Sequence, residues 1–390
     1  MNTAKNKAEK VCTAAKKCSG CQLSNMNYER QLKWKQNTVY KLLRQFGTVK
    51  KIVGMSDPCH YRNKQQFVFK RAKNGKVVCG LYQSKTNGVV ECFDCLINNE
   101  RACEIAKTVT ELLQSSKIKI YSPKNGSGNL KHMLIKTGNK SGEILLCFVC
   151  AKRTFKPDDI FIKHIIEQCP DITTITEIVN KTPEGVFLDG EESIIFGRGY
   201  ITDSLCKMRF KISAKSFYQI NPTQTERLYT CAIERARLEK GEQVLDAYSG
   251  VGTIGIIAAA QTGAEVLSVE LNPDAYSNAR ENAELNDVQN ISFVNDDAQR
   301  YIEELAKNGE HLDCVIADPP RAGCSRGFLL SLIKIKPKRV VYVSCNPKTL
   351  QRDLYFLTKN GYKADFIRPF DMFPFTNHVE TVCVMSCKED

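Results

Sequence analysis

Tyr28, Leu32, Val39, Leu42, Leu43 and Phe46 recur at three- and four-residue steps. Residues 28 to 46 are therefore expected to form an amphipathic helix, with Lys33, Lys41 and Arg44 outward and Gly47 ending it. From about Pro58 to Ile212 the apolar runs become short and strand-like, as in Q-F-V-F, H-M-L-I-K, E-I-L-L-C-F-V-C and S-I-I-F-G, with turn pairs at Asn74-Gly75, Asn87-Gly88 and Asn125-Gly126. This rhythm predicts a mostly antiparallel β domain with a helix near residues 158 to 168 packed on it. Beyond about Ser213 it changes to buried runs separated by helical stretches: Q-V-L-D-A, E-V-L-S-V-E, I-S-F-V, L-D-C-V-I-A-D, R-V-V-Y-V-S, K-A-D-F-I and V-E-T-V-C-V-M. Helices between them should start near Thr253, Pro273, Asp297, Arg326 and Pro347. Seven strands, the last two joined without a helix, predict a doubly wound parallel sheet that ends in a hairpin.

At 390 residues, 42% hydrophobic and 25% charged, the chain has the composition of a folded two-domain protein, which excludes disordered, collagenous and mini-protein classes. No window approaches the roughly 18 apolar residues of a membrane span, and the first ten residues lack the apolar core of a signal peptide. A cytoplasmic protein without membrane contact is expected. The net charge of +13 is concentrated at one end: residues 1 to 75 hold 17 Lys or Arg against Glu9, Glu29 and Asp57. Trp34, Tyr61, Phe67 and Phe69 lie among these cations, which suits stacking on single-stranded nucleic acid. Eighteen cysteines in a long cytosolic chain imply mostly buried thiols, Cys147, Cys150, Cys206, Cys231 and Cys383 among them.

Val244-Leu245-Asp246 followed by Y-S-G-V-G-T-I-G (248 to 255) is a strand, a glycine turn and a helix start, and Glu270 ends the next strand where a carboxylate can meet ribose hydroxyls. Gly250, Gly252 and Gly255 spell G-x-G-x-x-G, so a nicotinamide-dependent oxidoreductase is the rival reading. Three features favour S-adenosylmethionine. Asp246 at the strand end suits a cationic amino-acid ligand; Asp296 or Asp297 after I-S-F-V is placed for an adenine amino group; and the fourth strand ends in Asp318-Pro319-Pro320-Arg321, a rigid loop of the kind that holds a planar base beside a methyl donor.

Cys345 stands at the carboxyl end of the fifth strand, next to a helix that starts at Pro347 and whose N-terminus should favour a thiolate. A thiolate beside a methyl donor suggests pyrimidine C5 chemistry: attack on C6 turns C5 into an enolate carbon able to take the methyl group. A base must then remove the C5 proton before the cysteine is expelled. Glu380, opening the final strand, is the candidate.

S-F-Y-Q-I-N (216 to 221), D-A-Y-S-G-V-G-T (246 to 253), D-P-P-R-A-G (318 to 323), Y-V-S-C-N-P-x-T-L-x-R-D (342 to 353) and D-M-F-P-F-T-N-H-V-E (371 to 380) resemble, in order, the motifs of the S-adenosylmethionine-dependent RNA uracil-5 methyltransferases. The likeness covers the catalytic half and, more weakly, Tyr61-Arg62-Asn63-Lys64. It implies an α/β class I methyltransferase sheet plus the mostly antiparallel domain. It further implies that Gln219, Tyr248, Glu270 and Asp318 contact the methyl donor, with Thr253 a further contact, Cys345 the nucleophile and Glu380 the base. RNA cytosine-5 methyltransferases place a second cysteine directly after the proline of the Asp-Pro loop; D-P-P-R here favours uracil.

Cys12, Cys18 and Cys21 are spaced C-x5-C-x2-C, and a fourth ligand could come from Cys92, Cys95 or Cys103, a set that suits zinc or an iron-sulfur cluster. In the resembled family this spacing belongs to ribosomal-RNA members with a [4Fe-4S] cluster, for which Cys95 in F-D-C-L-I is the best match. That implies 23S ribosomal RNA as partner rather than transfer RNA, and a monomer. Only 11 residues precede Cys12, so the β-barrel RNA-binding domain with which many members begin is expected to be missing. The organisation expected is a basic lead with the cysteines (1 to 24), the amphipathic helix (25 to 56), the β-rich RNA-binding domain (57 to 212) and the methyltransferase domain (213 to 390).

Overall fold

The computed structural model describes residues 12–84, 86, 88–182 and 187–388. The first helix, α1 (Tyr28–Leu43), is capped by Asn27, whose side chain accepts from the Arg30 N–H. Its buried stripe is Gln31, Lys35, Val39 and Leu43, so two polar residues occupy positions that the apolar pattern alone does not mark.

The central domain contains β1 (Lys64–Arg71), β2 (Val77–Tyr82), β3 (Val89–Val90), α2 (Glu100–Ser115), β4 (Leu130–Thr137), β5 (Ile144–Cys150), α3 (Ile160–Gln168), β6 (Ile172–Val179) and β7 (Glu191–Phe196). Its strands run in the order β3-β2-β1-β4-β5-β6-β7, all antiparallel except β5 beside β6, which α3 connects. The helix expected near 158 to 168 is α3. The longer α2 was not anticipated: its apolar residues Ala102, Ile105, Ala106, Val109 and Leu113 do follow a helical period, but they start among the N-E-R-A-C polar residues after Asn99, which caps it. Both helices bury one face of the sheet in a core around Phe69, Phe148, Phe155 and Ile162. Of the turn pair Asn87-Gly88, Asn87 lies outside the described residues.

A two-stranded hairpin, β8 (Tyr200–Leu205) and β9 (Met208–Ser213), leads to α4 (Pro222–Ala236). The catalytic half follows as β10 (Gln243–Ala247), α5 (Thr253–Thr262), β11 (Glu265–Glu270), α6 (Pro273–Leu285), β12 (Ile291–Asn295), α7 (Ala298–Asn308), β13 (Cys314–Ala317), α8 (Arg326–Ile335), β14 (Arg339–Ser344), α9 (Pro347–Lys359), β15 (Tyr362–Phe370) and β16 (Glu380–Cys387). The sheet order is β12-β11-β10-β13-β14-β16-β15, parallel through β14, with β16 inserted antiparallel between β14 and β15. The seven strands and the hairpin end match the sequence expectation, and all five helix starts lie within one residue of those expected.

One apolar core joins the halves: Leu134, Leu145, Val149 and Ile178 on the far face of the central sheet meet Ile201 and Phe210 of the hairpin, Leu228 of α4, and Val244, Ile256 and Val384 of the catalytic sheet. On the opposite face α1 packs beside α9 and β15, and the chain after it lies parallel to β15 at Val49 and Val53. Cys147, Cys150, Cys231 and Cys383 are buried as expected, but Cys206 is half-exposed at the tip of the β8–β9 hairpin with φ of 50°. No helix among the described residues is long and apolar enough to cross a membrane.

Candidate active site

A cleft of about 820 Å3 opens where the parallel strands of the catalytic sheet end. Its wall includes the five donor-side residues that the family resemblance implies, Gln219, Tyr248, Thr253, Glu270 and Asp318, together with both Cys345 and Glu380. Strands β10, β13 and β14 deliver Tyr248, Asp318 and Cys345 from one edge because they lie side by side and in parallel.

On the donor side Gly252 caps α5 with φ of 78°, a conformation that side chains rarely adopt. Glu270 holds the turn: its Oε2 accepts from the Gly250 N–H (2.8 Å) and its Oε1 from the Asn272 N–H (2.7 Å). Asp246 does not face the cleft. Its buried carboxylate accepts from the Gly255 N–H (3.0 Å) and the Ser268 hydroxyl (3.1 Å), and a Cβ on Gly255 would come within 2.6 Å of it. The third glycine of the apparent dinucleotide motif therefore makes room for this carboxylate. Asp297 and Asp296 are likewise engaged elsewhere, the first capping α7 and the second paired with Arg300. Tyr229 of α4 is a wall residue the sequence reading missed; its hydroxyl lies 3.3 Å from that of Thr253.

The nucleophile's motif builds its own frame. Asn346 caps α9 through the Lys348 N–H (3.1 Å) while its amide donates to the Arg321 carbonyl (3.1 Å), which also receives the Thr349 hydroxyl (3.3 Å). Asp353 accepts from the Tyr342 hydroxyl (2.7 Å) and the Cys324 N–H (3.0 Å), and Arg352 donates to the carbonyls of Ala322 and Cys324. The C-N-P-x-T-L-x-R-D and D-P-P-R-A-G segments thus form one unit.

Electrostatics in the cleft corrects one expectation. Burial, with the charges of Glu380 and Asp318, pushes the Cys345 thiol up to about 11 against the opposing Arg321 guanidinium, so the adjoining helix N-terminus does not make a resting thiolate. Burial and Asp318 push Glu380 up to about 8, again opposed by Arg321, and burial pushes Asp318 up to about 7. Carboxyls held this high regain full charge beside a cation, so the cleft suits a cationic ligand. Arg321 is 3.3 Å from the His378 ring at the rim.

The loop between β15 and β16 lies over this site and is fastened from outside the sheet. Lys35 of α1 is fully buried, with Nζ 2.5 Å from Asp371 Oδ1 and donating to the Phe373 carbonyl at 2.9 Å. Gln31 accepts from the Phe375 N–H (2.8 Å), Leu23 donates to the Phe375 carbonyl (2.9 Å), and the Tyr61 hydroxyl donates to the Pro374 carbonyl (3.1 Å).

Tyr61-Arg62-Asn63-Lys64 is therefore a joint between domains. Asn63 donates through its side chain to the Gln219 carbonyl (3.0 Å) and through its backbone to that of Ile220 (3.0 Å). Lys64 is held below its ordinary range by burial and by Arg62. The neighbouring Lys136 is fully buried and donates to the carbonyls of Ser213 (2.7 Å) and Ser216 (2.6 Å). Of the four aromatics expected to stack on bases, Tyr61, Phe67 and Phe69 are buried and Trp34 alone is exposed: β1 turns Phe67 and Phe69 into the core, and Tyr61 is tied to the Pro374 carbonyl. Lys5, Lys7 and Lys10 of the basic lead lie outside the described residues.

Cys12, Cys18 and Cys95 lie near enough to Cys21 for their charges to act on its thiol. Burial, then the charges of Cys95, Cys18 and Cys12, push the Cys21 thiol up to about 12. The Gly20 N–H donates to Cys18 Sγ (3.3 Å), and the backbone around Ile97 and Asn98 hydrogen-bonds Cys95. Cys92 and Cys103 are fully buried behind them, Cys103 Sγ lying 3.9 Å from the Cys92 carbonyl. Among the described residues no three His, Cys, Asp or Glu side chains converge tightly enough to hold one metal ion.

Comparison with known proteins places this geometry. The tRNA (Uracil-5-)-methyltransferase family matches residues 189–388. An uncharacterized RNA methyltransferase of Oceanobacillus iheyensis is 37% identical over 99% of this chain and 84% of its own length. One from Staphylococcus aureus is 35% identical over 100% and 86%. Among solved structures, a Pyrococcus abyssi tRNA (uracil-54, C5)-methyltransferase in complex with S-adenosyl-L-homocysteine is 29% identical, with a TM-score of 0.79 over 94% of this chain and 86% of that one.

Proposed function

We propose a reaction from one premise: this chain belongs to the family of S-adenosylmethionine-dependent RNA uracil-5 methyltransferases. The reading is that it methylates C5 of a uridine in 23S ribosomal RNA through a covalent adduct at Cys345. The observation that carries it is the meeting of Cys345, Glu380 and Asp318 on the wall of one acidic cleft, beside the glycine turn. The donor supplies an electrophilic methyl group on a sulfonium. Gln219, Tyr248, Thr253, Glu270 and Asp318 would hold it, and a sulfonium's positive charge suits carboxyls that burial has pushed upward.

The Cys345 thiol gives up its proton to solvent as its sulfur bonds to C6, and the electron pair of the C5–C6 double bond moves to C5 and the C4 carbonyl. C5 takes the methyl group and the donor leaves as a neutral thioether. Glu380 then takes the C5 proton, the C5–C6 double bond re-forms, and the sulfur leaves C6 as a thiolate.

The C-x5-C-x2-C spacing of Cys12, Cys18 and Cys21, with Cys95 as fourth ligand, supports the reading of a [4Fe-4S] cluster. Cys12, Cys18, Cys21 and Cys95 would hold it, and its contribution is structural, because methyl transfer moves no net electrons. This cysteine set is what favours ribosomal RNA. The likeness to the archaeal tRNA enzyme favours a tRNA substrate instead. Transfer of labelled methyl groups to bulk ribosomal RNA or bulk tRNA from a strain lacking the gene separates the two readings. Label in 23S RNA at mapped uridines is expected, and label confined to tRNA overturns that substrate. Calorimetry should find binding of S-adenosylhomocysteine and none of NADH.

A further inference from the structure

The loop at residues 371–377 leads into β16, whose first residue is Glu380. Its backbone is held from α4, where Asn221 donates to the Met372 carbonyl (2.9 Å) and Gln224 to the Asp371 carbonyl (3.0 Å), and by side chains from the other end of the chain. Lys35 contacts it at two points, the Asp371 carboxylate (2.5 Å) and the Phe373 carbonyl (2.9 Å), and so sets both its position and its direction. Four residues earlier on the same face of α1, Gln31 accepts the Phe375 N–H and donates to the Met26 carbonyl (2.9 Å). Phe375 has φ of 67°, a conformation an aromatic residue keeps only where surrounding bonds enforce it.

Both members of the ion pair are fully buried. Burial of such a pair is weak evidence for stability, since apolar residues of similar volume often serve as well or better. What an apolar pair could not do is hold a carbonyl and a carboxylate two residues apart in a fixed direction. The held segment leads directly to the chemistry: Phe373 lines the cleft with Cys345 and Glu380, and its ring stands edge-on to His378 at 6.0 Å.

We propose that Lys35, supported by Gln31, is a positioning residue for the base: it sets the 371–377 loop so that Glu380 meets the C5 proton of the adduct. The inference rests on the addition-elimination reading above. Removing the ammonium lets the loop shift without opening the donor or RNA sites. The step that slows is proton removal, and the covalent adduct lives longer.

The test compares wild type, Lys35→Met, Lys35→Arg and the double variant Lys35→Met/Asp371→Leu, which leaves no unpaired buried charge. Lys35→Met and the double variant are expected to lose roughly 10- to 100-fold in kcat, with KM for S-adenosylmethionine and RNA within about twofold. On unmodified RNA both should accumulate a denaturant-resistant complex that wild type does not. The double variant should melt at or above the wild-type temperature while remaining slow, and Lys35→Arg should regain part of the rate. A double variant that regains both stability and full turnover overturns the proposal, as does a rise in KM at unchanged kcat. Wild type incubated with 5-fluorouridine RNA is the control for the underlying reading. Absence of a trapped complex there removes the covalent route itself, whereas trapping by wild type without accumulation in Lys35→Met removes only the positioning role.

Discussion

At the scale of single residues, Cys345 and Glu380 make the sharpest claims. RNA with 5-fluorouridine at the target has no removable C5 proton after methylation, and Glu380→Gln lacks the base. Both should accumulate a denaturant-resistant complex, and Cys345→Ala should give none, read by gel shift and peptide mapping. An adduct mapped to another cysteine would falsify the nucleophile. Because Cys345 and Glu380 are both held protonated in the free cleft, at about 11 and about 8, and both must lose a proton to act, kcat/KM should climb as pH rises through 8. The same burial has the opposite effect on stability. Glu380 binds its proton more tightly folded than unfolded, so its contribution is fully present below its unfolded value of 4.5 and is lost as pH rises through about 8. Glu380→Gln should therefore be more stable than wild type by roughly 2–4 kcal/mol at pH 9, with the difference gone near pH 4 in urea titrations at both values. These two residues were legible in the sequence because strand ends and cleft chemistry coincide there. Asp246 was misread because a carboxylate at a strand end can serve a ligand or a neighbouring glycine N–H, and only Gly255 and Ser268 decide between them.

At the scale of elements, the catalytic strands and helices could be read almost to the residue because buried parallel strands are continuous apolar runs and each helix carries its own cap or proline. Helix α1 was legible as a helix but not as a clamp: apolar periodicity says which face is buried and is silent about a Gln and a Lys on that face. The segment bearing Cys18 and Cys21 bonds the catalytic loop through Leu23, so it belongs to the same construction. Cys21→Ala is expected to lose iron, lower the melting temperature and weaken RNA binding together, measured by metal analysis and thermal scans. A soluble iron-free variant with full activity would strip the cysteine site of its role. Neutralising Lys64 should lower stability and leave the salt dependence of RNA affinity unchanged, since its amine is packed at a domain joint. A flattened salt slope would place Lys64 on the RNA surface.

At the scale of the molecule, the boundary near residue 212 was visible as a change of rhythm, but the core that crosses it was not, because contacts between distant runs leave no local signal. Ile201 and Phe210 of the hairpin belong to one core shared with both sheets, so the halves should unfold together. One coincident transition by fluorescence and circular dichroism is expected, and residues 213–390 expressed alone should fail to give a soluble, cooperatively melting domain. The pairing of Lys35 with Asp371 also dictates an order of events during synthesis. The two are 336 residues apart, so at 5–20 residues per second the amine leaves the ribosome roughly 17–70 s before its carboxylate. Throughout that wait the inner stripe of α1 faces water with a hydrated ammonium and an amide in it, where a leucine stripe would recruit chaperones or other nascent chains. A copy not yet made as far as Asp371 cannot fasten the loop to α1.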